Sequence, residues 1–284
     1  MIYKSFYDFW YADNPDKQNH IKLHQEDADI GGGKISIDDI DRINEYDNME
    51  RVQISGLRQD TFEYFIEKYG NKIKYIYFFK NKMVEDFSIL STLTQIRGIS
   101  FFHNQRATKL WDMSSNYELE ALNFEDFTRL HSLEGIQTAP NLRYLTFGDA
   151  IWSTSKLFDL NPLIGTKLIS FGFNGKSIEN KDITVYTELP ELKYLNFPTN
   201  FYTTEELAQI VALCPHLSGY ALTPYVKFNR ISHGEKDVVI CGKRKPFLNS
   251  EKDAVKIEKY VKKFHALVEQ YKREYQVLGG KLLN

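Results

Sequence analysis

Cysteine is scarce in this 284-residue chain, which has only Cys214 and Cys241, and so are tryptophan (3), methionine (4) and proline (8). Two cysteines do not make a disulfide framework, and a chain of this length can bury a core without one, so both are expected as ordinary buried thiols in a reducing compartment. A basic excess is also missing. The formal net charge of −2 gives no surface for tracking phosphates, and nucleic acid is not an expected partner. The longest apolar runs, such as the one around Ile210 to Cys214, fall far short of the roughly 20 residues that span a bilayer. Met1 to Asn14 is rich in aromatics, but Asp8 and Asp13 interrupt it and no basic leader with a small-residue cleavage site is present. No secretion signal is read, and a cytoplasmic location is expected.

The composition is that of a globular chain, 42% apolar and 14% aromatic, enough for a sizeable core in one or two domains. Charge is unevenly placed. Residues 1–50 hold 12 acidic against 5 basic side chains, and residues 241–284 hold 11 basic against 5 acidic. Two solvated ends of opposite sign are the plain reading; a monomer is expected, with weak head-to-tail self-association at low salt as the sharper alternative.

The stretch "NLRYLTFGDA" at 141–150 places Leu142, Leu145 and Phe147 at a spacing that recurs. The same triple is found at Met49, Val52, Ile54; Ile73, Ile76, Phe78; Ile96, Ile99, Phe101; Leu119, Leu122, Phe124; Leu168, Phe171, Phe173; Leu192, Leu195, Phe197; and Leu217, Tyr220, Leu222. Successive copies start 24, 23, 23, 23, 26, 24 and 25 residues apart. A given triple matches by composition with a chance of roughly 0.07, so eight in near-register are a repeat. The fourth and sixth positions point to one face of a strand. One such strand cannot bury that face, but parallel copies stacked side by side can, with the intervening chain closing the far wall. Phe87, Leu90, Leu93 and Leu130, Leu133, Ile136, Ala139 run into their strands at steps of three, suiting tight 3₁₀ turns. Phe62, Phe65, Ile66, Tyr69 and Leu207, Ile210, Val211 follow Thr61 and Thr203–Thr204 at helical spacing, predicting two capped helices.

This pattern resembles the leucine-rich repeat family, whose strand motif is Leu-x-x-Leu-x-Leu-x-x-Asn, over about residues 49 to 225, and the short copies look most like bacterial repeat proteins of the internalin sort. The resemblance implies an α/β solenoid: an irregular horseshoe with a parallel concave sheet and a convex side of 3₁₀ and helical turns. The family's turn asparagine matches at Asn81, Asn104 and Asn200, whereas Leu57, Phe127, Ala150, Lys176 and Tyr225 stand at the other five places. Those five turns must satisfy their backbone groups in another way.

Residues 1–48 are read as an amino-terminal cap with a degenerate first turn in "KISIDDIDRI", 49–226 as eight repeats, and 227–284 as a closing strand, "DVVICG", and capping helix. Tyr3, Phe6, Tyr7, Phe9 and Trp10 are expected to cover the open end of the core. The helix is expected from Ser250 to Tyr275, capped by Ser250, with Ala254, Ile257, Val261, Phe264, Leu267, Val268 and Tyr271 as its apolar stripe. A membrane-surface or partner helix is the alternative role for it.

Motifs for chemistry are weak. "NGKS" at 174–177 has the end of a phosphate-binding loop, but the glycine needed five residues before Gly175 is Ser170. His20 and His24, near Glu26 and Asp27, have the spacing of a helical metal pair, yet Ile21 and Leu23 alternate like a strand. Cys214 and His216 flank Pro215 and read as a turn rather than a nucleophile and its base. No catalytic residue, metal or cofactor is expected.

The outward strand positions supply what remains. Tyr75, Tyr77, Phe79 and Phe102 cluster on neighbouring strands, Tyr144 and Tyr194 lie farther along, and small residues such as Gly98, Ala121 and Gly172 leave room between them. A tyrosine-rich, charge-poor strip suits protein recognition. β-Sheets favour such residues in any case, and a terminal arm folded over the strip would account for them equally. The expectation is a non-catalytic module that binds a protein or peptide through Tyr75, Tyr77, Phe79, Phe102, Asn123, Glu125, Tyr144, Tyr194 and Asn196. The alternative is glycan or small-ligand binding, with tyrosines stacked on sugar rings and Asn123, Asn196 and Glu125 taking hydroxyls.

Overall fold

Six of the apolar triples, those from Met49 to Leu168, lie side by side in a parallel sheet. The computed structural model describes residues 1–12, 20–25, 33–232 and 235–277, and the chain divides into two compact units, Met1–Lys181 and Asp182–Asn284.

In the first unit seven strands of the parallel sheet run in chain order: β1 (His20–Leu23), β2 (Arg51–Ile54), β3 (Tyr75–Phe79), β4 (Gly98–Asn104), β5 (Ala121–Phe127), β6 (Tyr144–Gly148) and β8 (Ser170–Asn174). The intervening β7 (Lys156–Leu157) pairs instead with β9 (Ser177–Ile178). The register aligns Val52, Ile76, Ile99, Leu122, Leu145 and Phe171 in one row and Ile54, Phe78, Phe101, Phe124, Phe147 and Phe173 in another. Because the rows fall on the same side of the pleat, the phenylalanines form a ladder, with Phe78 and Phe101 stacked at 5.0 Å and Phe101 and Phe124 at 5.1 Å. Such pairs add about 0.5–1.5 kcal/mol each to the burial of their area.

The far wall is built from 3₁₀ turns at Ser88–Thr92, Ile136–Thr138 and Asn161–Leu163, which bury Leu90, Ile136 and Leu163. The helix α3 (Gln59–Tyr69) stands in that wall, burying Phe62, Phe65, Ile66 and Tyr69. The "KISIDDIDRI" segment forms α2 (Ile37–Asp41), started by a Ser36–Asp39 capping box, and a 3₁₀ turn.

Turns after the strands carry buried polar side chains. Asn81 accepts from Leu57 N–H at 2.8 Å and donates to the Ile54 carbonyl at 2.9 Å. Asn104 donates to the carbonyls of Asn81 and Val84 and accepts from Arg106 and Ala107 N–H. Asp126, fully buried, accepts from the N–H groups of Ala150, Ile151 and Trp152 at 3.1–3.2 Å. It stands one place before the motif's asparagine position. Gly56, Lys80, His103 and Asp126, each at that same eighth position, all adopt the left-handed conformation, with φ of 76°, 57°, 62° and 56°.

The amino-terminal helix α1 (Phe6–Ala12) does not cover the end of the core as expected. It lies on the sheet face opposite the phenylalanine ladder, called here the tyrosine face, and buries Phe6 and Phe9 there.

The second unit contains β10 (Tyr194–Asn196), α4 (Thr204–Leu213), the antiparallel sheet β11 (Tyr225–Ser232), β12 (Lys236–Ile240) and β13 (Phe247–Leu248), and α5 (Ala254–Val277). Thr203 and Glu206 form a capping box at the start of α4. Val238, Ile240, Leu248 and Ile257 form a buried cluster. Two expectations need correction here. The triple Leu217, Tyr220, Leu222 forms no strand, only a parallel bridge from Tyr194 to Ser218, and Tyr220 is 50% exposed. Pro215 and Pro224 bracket the segment, and it turns, with Leu222 N–H donating to the Gly219 carbonyl at 3.0 Å. Ser250 does not cap the last helix: its backbone N–H and hydroxyl donate to Asp237, and the helix starts at Ala254.

Cys214 and Cys241 are free and buried, and burial pushes both thiols up to about 11. No helix among the described residues is long and apolar enough to cross a membrane.

Candidate functional site

The tyrosine face is built by strand alternation: in β3, Tyr75, Tyr77 and Phe79 point away from the side that holds Ile76 and Phe78. The structure changes what two of its tyrosines can do. Tyr75 and Tyr144 are each 2% exposed. Trp10 meets Tyr75 edge-on at 5.8 Å, Phe9 stacks on Tyr144 at 5.2 Å, and the Tyr3 N–H donates to the Tyr144 hydroxyl at 3.2 Å. The Ser170 hydroxyl donates to the Lys4 carbonyl. The room left by small residues is filled from within: a Cβ on Gly98 would come within 3.2 Å of the Trp10 ring. The Arg51 guanidinium, largely buried, lies 3.7 Å from the Tyr75 ring centroid. Tyr75 and Tyr144 therefore bind the chain's own amino-terminal arm, whose rings leave water by packing on this face.

Asn123 and Glu125 are also engaged. The Asn123 amide donates to Ser100 Oγ at 3.0 Å and to Glu125 at 2.8 Å, and Glu125 Oε1 accepts a hydrogen bond from the Tyr7 hydroxyl. Burial and the Glu125 carboxylate push the Tyr7 and Tyr77 hydroxyls upward, so both stay protonated at neutral pH. Tyr194 and Asn196 belong to the second unit, where each is half-buried.

Phe79 and Phe102 lie beyond these contacts with α1, and Tyr77 stands at their edge, near Tyr7 and Tyr11. Phe79 and Phe102 stack at 5.4 Å, Tyr77 meets Phe79 at 5.8 Å, and His24 adjoins Phe79. Tyr77 and Phe79 are half-buried. At the ends of these strands Phe102 continues into a groove of about 490 Å³, lined also by Lys80, Lys82, His103, Ile151 and Trp152. Ile151 and Trp152 are 60% and 55% exposed. Sequence reasoning passed over this groove because Ile151 and Trp152 sit on a loop outside the strand periodicity; an apolar Ile-Trp pair in a loop was its one visible sign.

Of the three motif asparagines, Asn81 and Asn104 are buried in turns as described, whereas Asn200 is exposed and makes no side-chain hydrogen bond among the described residues. His20 lies on β1 and His24 just beyond it. Glu26 and Asp27 fall outside the described residues, among which no group of three or more His, Cys, Asp or Glu could hold a metal. Ser177, the last residue of "NGKS", begins the two-residue strand β9, not a helix. No family model matches the sequence, and no curated protein is significantly similar to it.

Proposed function

We propose that the protein is a non-catalytic binding module of the leucine-rich repeat kind, an α/β solenoid that holds a protein or peptide on the part of its tyrosine face left open by α1. The in-register triples at intervals of about two dozen residues and the 3₁₀ turns between strands support the repeat reading. The observation that carries the functional reading is the Phe79–Phe102 stack beside Tyr77, an aromatic strip continuing to the exposed Trp152. Aromatic anchors next to partly exposed apolar walls are where partner-binding energy concentrates. The glycan reading is less well supported, because Asn123 and Glu125, two of the three polar groups it needs, are already hydrogen-bonded to Ser100 and Tyr7.

Tyr77→Ala combined with Phe79→Ala should abolish capture of a protein or peptide partner while leaving the circular dichroism spectrum and cooperative melt in place. Undiminished capture by the folded double variant, or binding confined to a glycan array, contradicts the proposal.

A further inference from the structure

The groove at the ends of β3 and β4 has two unlike sides. One side is apolar, formed by Phe102, Ile151 and Trp152. The other is cationic: Lys80 and Lys82 line it, and neither pairs with a carboxylate among the described residues. Lys74, by contrast, lines the larger polar cleft beside Asn44 and Asp47, and its ammonium is paired with Glu50. The groove's charge is thus available.

Its walls are also held in place. The loop carrying Ile151 and Trp152 hangs by three N–H groups on the buried Asp126 carboxylate. The loop's far end is closed by Ser155, whose N–H and hydroxyl donate to the buried Asp149. An exposed tryptophan on so pinned a loop loses little entropy when covered, which favours binding. His103, between Phe102 and the Trp152 ring, has a buried Nδ1 with no hydrogen-bond partner. Lys80 and His103 both take the left-handed conformation of the repeat turn, which fixes where their backbones stand at the groove.

We infer that this groove takes an acidic peptide segment bearing an aromatic or large aliphatic side chain, which packs against Trp152 and Ile151 while its carboxylates meet Lys80 and Lys82. The inference rests on the reading that the neighbouring strip binds a partner, and it adds the partner's chemistry. A random dodecapeptide display library selected on the full chain tests it. The enriched peptides should carry Asp or Glu next to an aromatic or large aliphatic residue. Replacing their carboxylates by amides should weaken binding to the unaltered protein at least tenfold, and Lys82→Glu and Trp152→Ala should each do the same. Enrichment of neutral or basic peptides, or indifference to amide replacement, overturns the inference. If Tyr77→Ala with Phe79→Ala abolishes binding but Lys82→Glu and Trp152→Ala do not, the binding strip stands and the acidic groove falls. If no peptide is enriched, both fall.

Discussion

Phe9 lies stacked on Tyr144, ring centroids 5.2 Å apart and planes 25° from parallel, joining the amino-terminal helix to the middle of the sheet. The pair makes the arm part of the folded unit, since Phe9 is 1% exposed. Phe9→Ala should lower stability by about 3 kcal/mol, the usual cost of deleting a buried phenyl ring. Denaturant unfolding checks this; a loss below about 1 kcal/mol would mean that the arm rests on the sheet without stabilising it.

The turn asparagines should divide sharply. Asn104 joins four backbone groups, and Asn104→Ala removes all four hydrogen bonds, a loss of about 3 kcal/mol. Asn200 is exposed, and Asn200→Ala should stay within about 0.5 kcal/mol. Equal losses would show that the sequence motif, and not the hydrogen bonding, sets the contribution.

Lys80 occupies φ 57°, where a side chain costs roughly 1–2 kcal/mol relative to glycine. Lys80→Gly should therefore raise the melting temperature, offset in part by the greater unfolded-state entropy of glycine, while weakening capture of an acidic peptide. A lower melting temperature would indicate that the Lys80 side chain, over the Phe79 ring at 5.0 Å, stabilises more than its backbone strains.

Asp41 accepts hydrogen bonds from Tyr64 and Tyr69 and pairs with Lys68, and these contacts hold its carboxyl down at about 2 from 3.8. A depressed carboxyl stabilises the fold fully above the unfolded value and ceases to as pH falls through the folded one. The difference in melting temperature between the native chain and Asp41→Asn should be constant above about pH 5 and close between about pH 4 and 2. A difference independent of pH across that window would contradict this.

The strand register was legible in the sequence because two constraints coincide in it: alternation within each triple and near-constant spacing between triples. Together they align Ile76 with Ile99, Leu122 and Leu145. The Thr203 cap of α4 was equally plain, whereas Thr61 lies within α3, whose cap position is Arg58. The position of α1 was not legible. Phe6, Phe9 and Trp10 announce burial, but nothing local to them distinguishes the end of the core from the tyrosine face; only the three-dimensional match of Trp10 with Gly98 and of Phe9 with Tyr144 decides it. The eighth triple failed for the opposite reason. Its pattern was right, yet the segment between Pro215 and Pro224 turns back on itself, Leu222 N–H bonding the Gly219 carbonyl, instead of lying extended. The groove was hidden because Ile151 and Trp152 come from one loop and its lysines from another, the first held by Asp126 of β5, whose side chain reaches the backbone of a turn 24 to 26 residues on.

The most direct measurement is hydrogen–deuterium exchange of the full chain with and without a saturating enriched peptide. Protection is expected at residues 77–82, 102–105 and 151–154, with the amino-terminal helix unchanged. Protection confined to other segments, or release of residues 1–12 from the sheet on binding, would contradict a partner held on the open strip beside α1.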